Sequence, residues 1–576
     1  MGVRRRALAM GTAIAAVCAL TAGAAAAVPT ARTTTTPGQH AGDSTPVQIL
    51  ALNDFHGHLE PSGSVGSDPA GGAEYLASHL EQLREGQQHS TTVAAGDLIG
   101  ASPLLSAAFY DEPTIEAMTS MGLSAASVGN HEFDAGWQEL LRKQNGGCLD
   151  EDDPNRDSCP NPRAPFEGAG FDYLSANVFH EATNETLLPP YSIQEFGPAK
   201  VAFIGMTLED TPNIVTAEGV QGLEFTDEVE TANALVPKLK ADGVQAIVVL
   251  LHEGGFSADP DRYNDCPEVS GPVIDIAEKL APEIDAVISG HTHQPYICSI
   301  PDPDGEERLV TSASYYGTMV TEMTLPVDQL TGDVLRDQAT ASNHVMHHRV
   351  DQEPSMTKLI DKYSRLVEPV ADRVIGHLTT EQVTVDQDDS YESPLGNLVA
   401  DTMLADESVV TDQKRPEVAF MNYGGIRADL RGEGPDHAVT FGNAFTVQPF
   451  SNYSVSMDLT GEQILQVLDQ QWTGGTPGED YARRMLQIAG LTYTWSDGDR
   501  PAVVPGSVRI SGESLQESRT YRVVTNHYLA AGSEGFTTFG EGANVYFGGV
   551  DIDALSTYLE ANDPYQPVPT DRIDVQ

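Results

Sequence analysis

The sequence is short of basic residues: its 576 residues include 32 Lys and Arg against 84 Asp and Glu, a formal net charge of −52 at pH 7. A field of this sign repels nucleic-acid polymers and anionic membranes at long range. We therefore expect a small-molecule partner and no nucleic-acid polymer. An anionic substrate would also be repelled, so any phosphate site needs metal ions or arginines that reverse the charge locally.

Long apolar runs are also scarce. One run, from Ala7 to about Ala27, follows three arginines and ends in small residues, which is the pattern of a secretory signal. We predict a signal peptide at residues 1–27 and a disordered linker at 28–45. No second run is long enough to cross a bilayer, so we expect no membrane span in the mature chain. The mature protein is then secreted, extracellular or periplasmic, and we expect a monomer.

Cysteine is rare, with five in the whole chain, one of them inside the predicted signal peptide. The remaining four are Cys148, Cys159, Cys266 and Cys298. An even number in an exported protein suggests disulfides, and four cysteines permit three connectivities. Proximity along the chain favours Cys148 with Cys159 and Cys266 with Cys298. A cysteine zinc site is the weaker alternative, because the sequence contains no CxxC spacing.

The length of the chain argues against a single core. Size scaling favours two domains of roughly 200 to 300 residues each. From Val47 to about Val320, β-rich apolar runs alternate with helical stretches, as in a layered α/β domain. We place this domain at 46–348, a helical linker at 349–370, and a second domain with its own strands and helices at 371–576.

Five apolar runs of the first domain end in a possible metal ligand. The motifs are VQILALNDFH with Asp54 and His56, TTVAAGD with Asp97, SASVGNHEFD with Asn130, His131 and Asp134, AIVVLLHE with His252, and DAVISGHTH with His291 and His293. Each motif alone is weak, since a strand-end Asp or His more often closes a turn, but chance assembly of all five is improbable. Ligands bind beyond the carboxyl ends of strands in layered α/β folds, so we predict that these side chains meet in one pocket.

The mixture of Asp, Asn and His favours borderline divalent ions such as Mn²⁺, Zn²⁺, Co²⁺ or Fe²⁺ over Mg²⁺ alone. Seven candidate ligands are too many for one ion. They suit two ions that share a carboxylate and lie about 3.5 to 4 Å apart, a pair that clamps a phosphoryl group and generates a hydroxide nucleophile. We therefore predict two divalent metal ions as cofactors.

The order of these motifs resembles that of the calcineurin-like metallophosphoesterase superfamily. The resemblance extends over residues 45 to about 570, into the exported 5′-nucleotidase and UDP-sugar hydrolase branch. It implies an α/β protein with an N-terminal four-layer α/β/β/α metallophosphoesterase domain and a C-terminal α/β nucleotidase domain. It also implies two ligand sets, Asp54, His56, Asp97 and His293 for one ion, and Asp97, Asn130, His252 and His291 for the other. By the same resemblance, His131 protonates the leaving ester oxygen or stabilises charge there, and Asp134 orients its imidazole.

The second domain carries motifs that suit a nucleotide. They are NYGGIRADL with Asn422, Gly424, Gly425 and Arg427, VQPFSN with Phe450 and Asn452, and NHYLAAGSEGF with Tyr528 and Glu534. A glycine pair after a strand brings backbone N–H groups close to an anion, and arginine adds a bidentate phosphate donor. The resemblance implies that Phe450 and Tyr528 sandwich the nucleobase, that Glu534 contacts the nucleoside, and that Asn and Arg side chains bind phosphate.

Three features of the second domain depart from the family pattern. The stretch DQDDSYESPLGNL lacks the arginine that relatives place shortly before LGNL, Glu534 stands where Asp is usual, and Tyr528 stands where Phe is frequent. These departures weaken the expectation of di- and triphosphate substrates. We predict hydrolysis of nucleoside 5′-monophosphates, with 2′,3′-cyclic nucleotides or UDP-sugars as rival substrates of the same site. The rival from another class is a secreted, non-catalytic protein that binds metal or nucleoside.

Overall fold

The first apolar run after the predicted linker forms the strand Ser44–Leu52, which begins two residues before the predicted domain boundary at 46. The predicted signal peptide and the linker up to residue 43 lie outside the described residues. The computed structural model describes residues 44–61, 63–149, 155–161, 164–215, 219–411, 414–450, 452–473, 484–497 and 501–576.

Two sheets, each of six described strands, form the middle of the N-terminal domain. The first sheet has the order Thr340–Val345, Met319–Asp328, Ser44–Leu52, Ser90–Ala95, Leu123–Ser127 and Asp172–Leu174. The second has the order Tyr296–Pro301, Glu307–Ser312, Ala286–Ser289, Ala246–His252, Ala199–Thr207 and Tyr191–Phe196. The central strands of each sheet pair in parallel. Their carboxyl ends therefore reach the same edge of each sheet.

The two sheets pack face to face through a core of aliphatic side chains. Ile49 and Val93 of the first sheet and Phe203 and Val248 of the second belong to this inner layer, and all four are fully buried. Burying such a side chain stabilises the fold by about 1.5–3 kcal/mol before entropy is counted. Near-continuous apolar strands are expected where both faces of a parallel sheet are covered.

Helices cover the outer face of each sheet. Ala73–Arg84 and Glu112–Ser120 pack on the first sheet, and Glu228–Ala241 and Pro272–Lys279 pack on the second. The helix Glu228–Ala241 begins where the Asp227 side chain accepts a hydrogen bond from the Glu230 N–H, a common N-cap. The order helix, sheet, sheet, helix confirms the predicted four-layer α/β/β/α fold.

The other regular elements of this domain are short. The strands are Gly63–Val65, Asp68–Ala70, Val178–His180 and Leu223–Phe225. The helices are Leu104–Ala107, Trp137–Asn145 and Thr211–Ile214, with 3₁₀ turns at His131–Phe133, Pro260–Arg262 and Arg336–Gln338.

The helix Pro354–Ala371 begins inside the predicted helical linker at 349–370 and ends one residue beyond it. Glu353 caps it by accepting hydrogen bonds from two backbone N–H groups of the first turn. Met356, Ile360, Tyr363 and Val367 recur at helical spacing and are buried, and the Tyr363 hydroxyl donates to a Glu116 carboxylate oxygen at 2.8 Å. This face belongs to the same apolar core as the outer helices of the first sheet, so the linker helix is packed onto the N-terminal domain.

A mixed sheet of five described strands forms the C-terminal domain, in the order Gln487–Ala489, Val418–Met421, Thr520–Asn526, Tyr453–Thr460 and Ala543–Val550. Val418–Met421 and Thr520–Asn526 are parallel neighbours, so the residues at their carboxyl ends adjoin. The helices are Pro394–Ala405, Phe441–Val447, Gly461–Thr473, His527–Ala530 and Asp551–Ala561. This arrangement confirms the predicted second α/β domain.

Short strands and turns complete this domain. The strands are Val374–His377, Gln382–Val383, Leu430–Arg431, Ala438–Thr440, Leu491–Ser496, Ala502–Val503, Arg509–Ile510, Glu513–Ser514 and Ile573–Val575. The 3₁₀ turns are Glu407–Val409, Tyr423–Gly425, Ser533–Gly535 and Thr537–Glu541.

Two disulfides join the cysteines in the favoured pairing, Cys148 with Cys159 and Cys266 with Cys298. The first closes a separation of 11 residues and the second a separation of 32. Within the described part of the chain, none of the helices combines the length and the apolar character that crossing a bilayer requires.

Loop-closure entropy predicts unequal contributions from these disulfides. Replacing Cys266 and Cys298 together by Ser should lower the free energy of unfolding by about 2–4 kcal/mol, and by more than replacing Cys148 and Cys159, because the longer loop gains more unfolded-state entropy. Denaturant melts of the two double variants beside the unmodified protein check this. A larger loss of stability on replacing Cys148 and Cys159, which close the shorter loop, would contradict the explanation from loop-closure entropy.

Candidate active site

The seven predicted ligands lie together at the carboxyl edge of the two sheets. Asp54 and His56 follow the strand Ser44–Leu52, Asp97 follows its parallel neighbour, and Asn130 follows the next strand. His252 ends a central strand of the second sheet, and His291 and His293 follow the strand beside it. Each sheet thus contributes its strand ends to a common site, as the motifs predicted.

The ligand atoms form two groups. In one, the ligand atoms of Asp54, His56 and His293 lie within 4.8 Å of one another, with 3.2 Å between the Nε2 atoms of the two histidines. In the other, Asp97, His252 and His291 are equally close, and Asn130 Oδ1 lies 3.1 Å from His252 Nε2 and 3.0 Å from His291 Nδ1.

The Asp97 carboxylate lies between the two groups. Its Oδ2 is 3.0 Å from His252 Nε2 and 3.6 Å from His56 Nε2, while its Oδ1 accepts a hydrogen bond from the His131 backbone N–H at 2.9 Å. A carboxylate oxygen within reach of both groups is the geometry that a ligand shared by two ions requires.

Backbone carbonyls fix which ring nitrogens face the site. The Nδ1 atoms of His56 and His252 lie 2.8 Å from the carbonyl oxygens of Gly100 and Ala95, and a carbonyl can only accept. In a neutral imidazole the Nδ1 atom then carries the proton, and the Nε2 lone pair is directed at the carboxylates. A lone pair and a carboxylate repel each other unless a proton or a cation lies between them. The donor set of imidazole nitrogens, carboxylates and one amide oxygen fits borderline divalent ions.

Burial makes this concentration of charge costly without a counter-ion. Asp54 and Asp97 are almost entirely inaccessible to solvent. Burial raises the pKa of Asp54 to about 7. Burial alone would lower the pKa of His252, but the charge and hydrogen bond of Asp97 raise it to about 10. The site therefore stabilises positive charge beside Asp97.

The backbone is turned sharply at most of the ligand positions. Asp54, His56, Asp97, His291 and His293 all have positive φ angles, between 47° and 72°. This left-handed region is uncommon outside glycine, and such strain persists only where the surroundings over-determine it. Here it directs consecutive strand-end side chains toward the same point.

His131 and Asp134 lie beside the second ligand group in the 3₁₀ turn after Asn130. His131 Nδ1 is 2.8 Å from Asp134 Oδ2. Burial lowers the pKa of His131, but the negative charges of Asp134 and Asp97 outweigh it and raise the pKa to about 9. A protonated imidazole whose Nδ1 is held by a carboxylate has its Nε2–H available to donate, as an acid catalyst requires.

Sequence reasoning overlooked the residue that orders this turn. The buried Glu132 carboxylate accepts hydrogen bonds from the backbone N–H groups of Asp97, Leu98 and Gly129, at 2.6 to 3.0 Å. It thereby fixes the Asp97 loop against the Asn130 loop. The GNHE motif contains this glutamate, so the signal was present but carried no assigned role.

Asn53 supports Asp54 in a similar way. Its side-chain amide donates to Asp54 Oδ2 and to the Ser314 carbonyl, both at 2.6 Å, and its Oδ1 accepts from the Ala313 N–H at 2.8 Å. Asn53 therefore ties the first ligand loop to the second sheet.

A cavity of about 740 Å³ joins this site to the C-terminal domain. Asn130, His131, Asp134 and His291 line it from the N-terminal domain. Seven of the eight predicted substrate-binding residues line it from the other side: Asn422, Gly424, Arg427, Phe450, Asn452, Tyr528 and Glu534. Gly425 does not line the cavity. It is buried against Met421: a Cβ atom added to Gly425 would lie only 2.5 Å from Met421 Cε.

Hydrogen bonds connect several of these residues. The Asn422 amide donates to Glu534 Oε1 at 2.9 Å and its oxygen accepts from the Asn526 amide at 2.9 Å. Burial raises the pKa of Tyr528 well above its usual range, and the neighbouring Glu534 charge acts in the same direction. Tyr528 therefore keeps its hydroxyl proton.

Phe450 connects the two domains across the cavity. Its ring stacks on the His131 ring, with centroids 5.8 Å apart and planes at 22°, and the Arg427 guanidinium lies over it at 5.8 Å. Arg427 also donates to the Gly424 carbonyl at 3.2 Å. The predicted acid and the predicted phosphate-binding arginine thus meet at one aromatic ring.

Comparison with known proteins identifies the family. Residues 47–295 match the model for calcineurin-like phosphoesterases, and residues 374–541 match the model for the 5′-nucleotidase C-terminal domain. The chain is 31% identical to the cell wall protein Lmo0130 of Listeria monocytogenes, over 92% of this chain and 69% of that protein. The chain belongs to the 5′-nucleotidase family of calcineurin-like phosphoesterases.

Two further relatives show the range of this family. The chain is 30% identical to endonuclease YhcR of Bacillus subtilis over 92% of its own length, but it spans only 40% of that protein. The crystal structure of a 5′-nucleotidase precursor from Thermus thermophilus matches with a TM-score of 0.71 and 26% identity, over 92% of this chain and 99% of that one.

The segment that departs from the 5′-nucleotidase family pattern has a structural role. Glu392 is buried, and its carboxylate accepts hydrogen bonds from the Asn397 amide and from the backbone N–H groups of Arg572 and Ile573. Asp388 accepts from the Ser390 N–H and hydroxyl in a tight turn. This segment fastens the C-terminal end of the chain and brings no cation to the cavity.

Replacing Asp97 by Asn removes the charge that both ligand groups share. We expect metal content, measured by elemental analysis of the purified protein, to fall for both ions together. Phosphoesterase turnover should drop by more than about 100-fold. Loss of a residue that only hydrogen-bonds a metal ligand costs up to about 100-fold, and loss of a shared ligand should cost more. Asp275→Asn is the matched control, since Asp275 is exposed beside Lys279 on an outer helix. Full metal loading in Asp97→Asn would refute a shared ligand.

Proposed function

We propose that the protein is an exported, metal-dependent phosphoesterase that hydrolyses nucleoside 5′-monophosphates to nucleoside and phosphate. One observation carries the proposal: a single cavity is lined by candidate metal ligands and His131 from one domain and by the nucleotide-binding candidates from the other. The 5′-nucleotidase named among the solved structures supports the same substrate class.

Asp54, His56, Asp97 and His293 would hold one divalent ion, and Asp97, Asn130, His252 and His291 the other. When bound, the two ions supply Lewis acidity toward the phosphoryl oxygens and a nucleophile from water. Arg427 donates to the phosphate from the C-terminal side, with the Asn422 and Asn452 amides as further polar contacts.

The nucleoside occupies the C-terminal end of the cavity. Phe450 and Tyr528 offer aromatic faces to the base, each such stack contributing about 1–3 kcal/mol by analogy with single-strand binders. Glu534, held by Asn422, accepts from nucleoside donors. His131 then donates its proton to the 5′ oxygen as the ester bond breaks, and Asp134 stabilises the cationic imidazole beforehand.

The Bacillus relative is named an endonuclease, but two features here favour a mononucleotide. The net charge of −52 opposes approach of a long polyanion. The aromatic and polar residues proposed to bind the nucleoside lie only at the C-terminal end of the cavity. They can therefore contact a single base and not a chain of bases. Export is supported by the predicted signal peptide, by the two disulfides and by a relative named as a cell wall protein.

Phosphate release from AMP tests the activity directly. The purified mature protein should release phosphate from AMP, lose this activity to a chelator, and regain it with Mn²⁺, Co²⁺ or Zn²⁺, because the ligand set suits these ions. Turnover of bis-p-nitrophenyl phosphate without turnover of AMP would move the assignment to cyclic nucleotides. Inertness toward both, in metal-loaded protein, would favour a binding protein.

The pH profile tests the role of His131. Its pKa of about 9 means that the acid form is present below that pH, so kcat/KM should fall as pH rises through about 9. Asp134→Asn removes the largest charge that raises this pKa, so the alkaline fall should move to lower pH by about one unit or more. An unchanged alkaline limb in Asp134→Asn would rule out His131 as the acid, while Asp275→Asn should leave the profile unchanged.

A further inference from the structure

Two neighbouring tyrosines pack against histidines of the first ligand group, which is Asp54, His56 and His293. The Tyr315 ring stacks on the His293 ring, with centroids 5.1 Å apart and planes at 20°. The Tyr316 ring meets the His56 ring edge to face, with centroids 6.0 Å apart. Both tyrosines are therefore in ring contact with candidate ligands of the same ion, although no sequence motif pointed to either.

His293 is held differently from two of the other candidate histidines. The Nδ1 atoms of His56 and His252 each lie 2.8 Å from a backbone carbonyl oxygen, a contact that fixes the plane of the ring. In the described part of the chain, no carbonyl or carboxylate accepts a hydrogen bond from His293 Nδ1. Its side chain is also 25% exposed, against 1% for His56 and 0% for His252. Neither a hydrogen bond at Nδ1 nor complete burial therefore fixes the plane of His293.

Stacking on Tyr315 supplies the missing constraint. Turning the imidazole out of its plane would break the face-to-face contact, and the observed separation lies within the range of about 4.5–7 Å in which aromatic rings attract each other. In this plane His293 Nε2 is 3.6 Å from Asp54 Oδ1 and 3.2 Å from His56 Nε2. The ring orientation that Tyr315 favours is thus the one in which Nε2 faces the first ligand group.

Tyr315 is itself fixed by the turn that follows the strand Glu307–Ser312. Its carbonyl oxygen accepts hydrogen bonds from the Thr318 N–H at 3.0 Å and from the Thr318 hydroxyl at 2.7 Å. The next residue, Tyr316, has a φ angle of 54°, and its N–H donates to the Asp54 carbonyl at 2.7 Å. The turn is therefore tied directly to the first ligand loop beside Tyr315.

We propose that Tyr315 is a positioning residue for the first metal ion: its ring sets the plane of His293, which a backbone carbonyl does for His56 and His252. The inference rests on the two-ion site of the proposed function and goes beyond it, because it assigns a residue that touches neither ion nor substrate. Tyr315 acts on the ion only through His293. Its loss should therefore weaken binding of the ion in the first ligand group and change binding of the other ion much less.

Metal binding measured without substrate tests this role. Metal-free protein titrated with Co²⁺, and followed by absorption and calorimetry, should show two binding steps. In Tyr315→Leu, the dissociation constant of one step should rise by about 10- to 100-fold, the usual effect of losing a residue that orients a metal ligand, while the other changes by less than about threefold. Tyr75→Leu is the matched control, since Tyr75 also stacks on a histidine, His348, which is not a candidate ligand. It should leave both steps unchanged.

A double-mutant cycle separates positioning from a general loss of structure. His293→Gln keeps an oxygen ligand but has no imidazole to stack on Tyr315. Adding Tyr315→Leu to this variant should change both dissociation constants by less than about threefold, because the ring that Tyr315 orients is already absent. An equal effect of Tyr315→Leu with and without His293 would overturn the proposal. Unchanged Co²⁺ binding in Tyr315→Leu, or an equal loss at both steps, would overturn it as well.

A conservative variant carries the test if Tyr315→Leu does not fold. Tyr315→Phe keeps the ring and loses only the hydroxyl, so both dissociation constants should stay within about threefold of those of the unmodified protein. A loss of about tenfold or more in Tyr315→Phe would contradict the proposal, because the hydroxyl and not the stacked ring would then be responsible.

The outcome for Tyr315 stays distinguishable from that of the proposed function. If the unmodified protein binds two Co²⁺ ions but does not hydrolyse AMP, the proposed activity fails and the metal titrations still decide the role of Tyr315. If the unmodified protein does not bind a second Co²⁺ ion, the role of Tyr315 fails whether or not AMP is hydrolysed.

Discussion

The Asp97 carboxylate lies between histidines of two different sheets, almost entirely out of water, and much of the surrounding structure follows from the need to stabilise it. A buried charge without a partner is strongly destabilising. His56 and His252 approach it with nitrogens whose tautomers are set by backbone carbonyls, so the arrangement is complementary to cations. A cation bound at this junction of the two sheets would therefore also stabilise the fold.

The same constraint explains the strained backbone. Parallel strands deliver side chains to one edge, but a strand continuing straight would carry them past each other. The left-handed residues at Asp54, Asp97 and His291 turn the chain directly after each strand. Glu132 and Asn53 hold these turns through hydrogen bonds to neighbouring loops, which compensates for conformations that cost about 1–3 kcal/mol each. Rigid sheets and buried polar supports together give the precision that catalysis needs.

The sequence predicted the architecture and the convergence of the candidate metal ligands because both follow local rules. Apolar runs with the period and length typical of buried strands gave the sheets, and the polar residue at the end of each run gave a candidate ligand such as Asp97 or His252. It also predicted the disulfide pairing from chain proximity. Glu132 was missed because its carboxylate accepts hydrogen bonds from backbone N–H groups of the Asp97 loop, and the spacing of residues in the sequence does not reveal such contacts. Gly425 was assigned to the substrate from its motif, but it is buried against Met421 and is not among the residues that line the cavity.

Arg156 illustrates what local patterns cannot reach. Its loop has no periodic signal, and its position depends on a disulfide and on contacts with Tyr110 and Glu112, which are distant in sequence. The consequence is electrostatic. The chain has a net charge of −52, and the cavity that the two domains share is lined by Arg427 on one side and Arg156 on the other. Because an acidic chain repels anions at long range, an anion can be held only where such cationic side chains offset that repulsion locally.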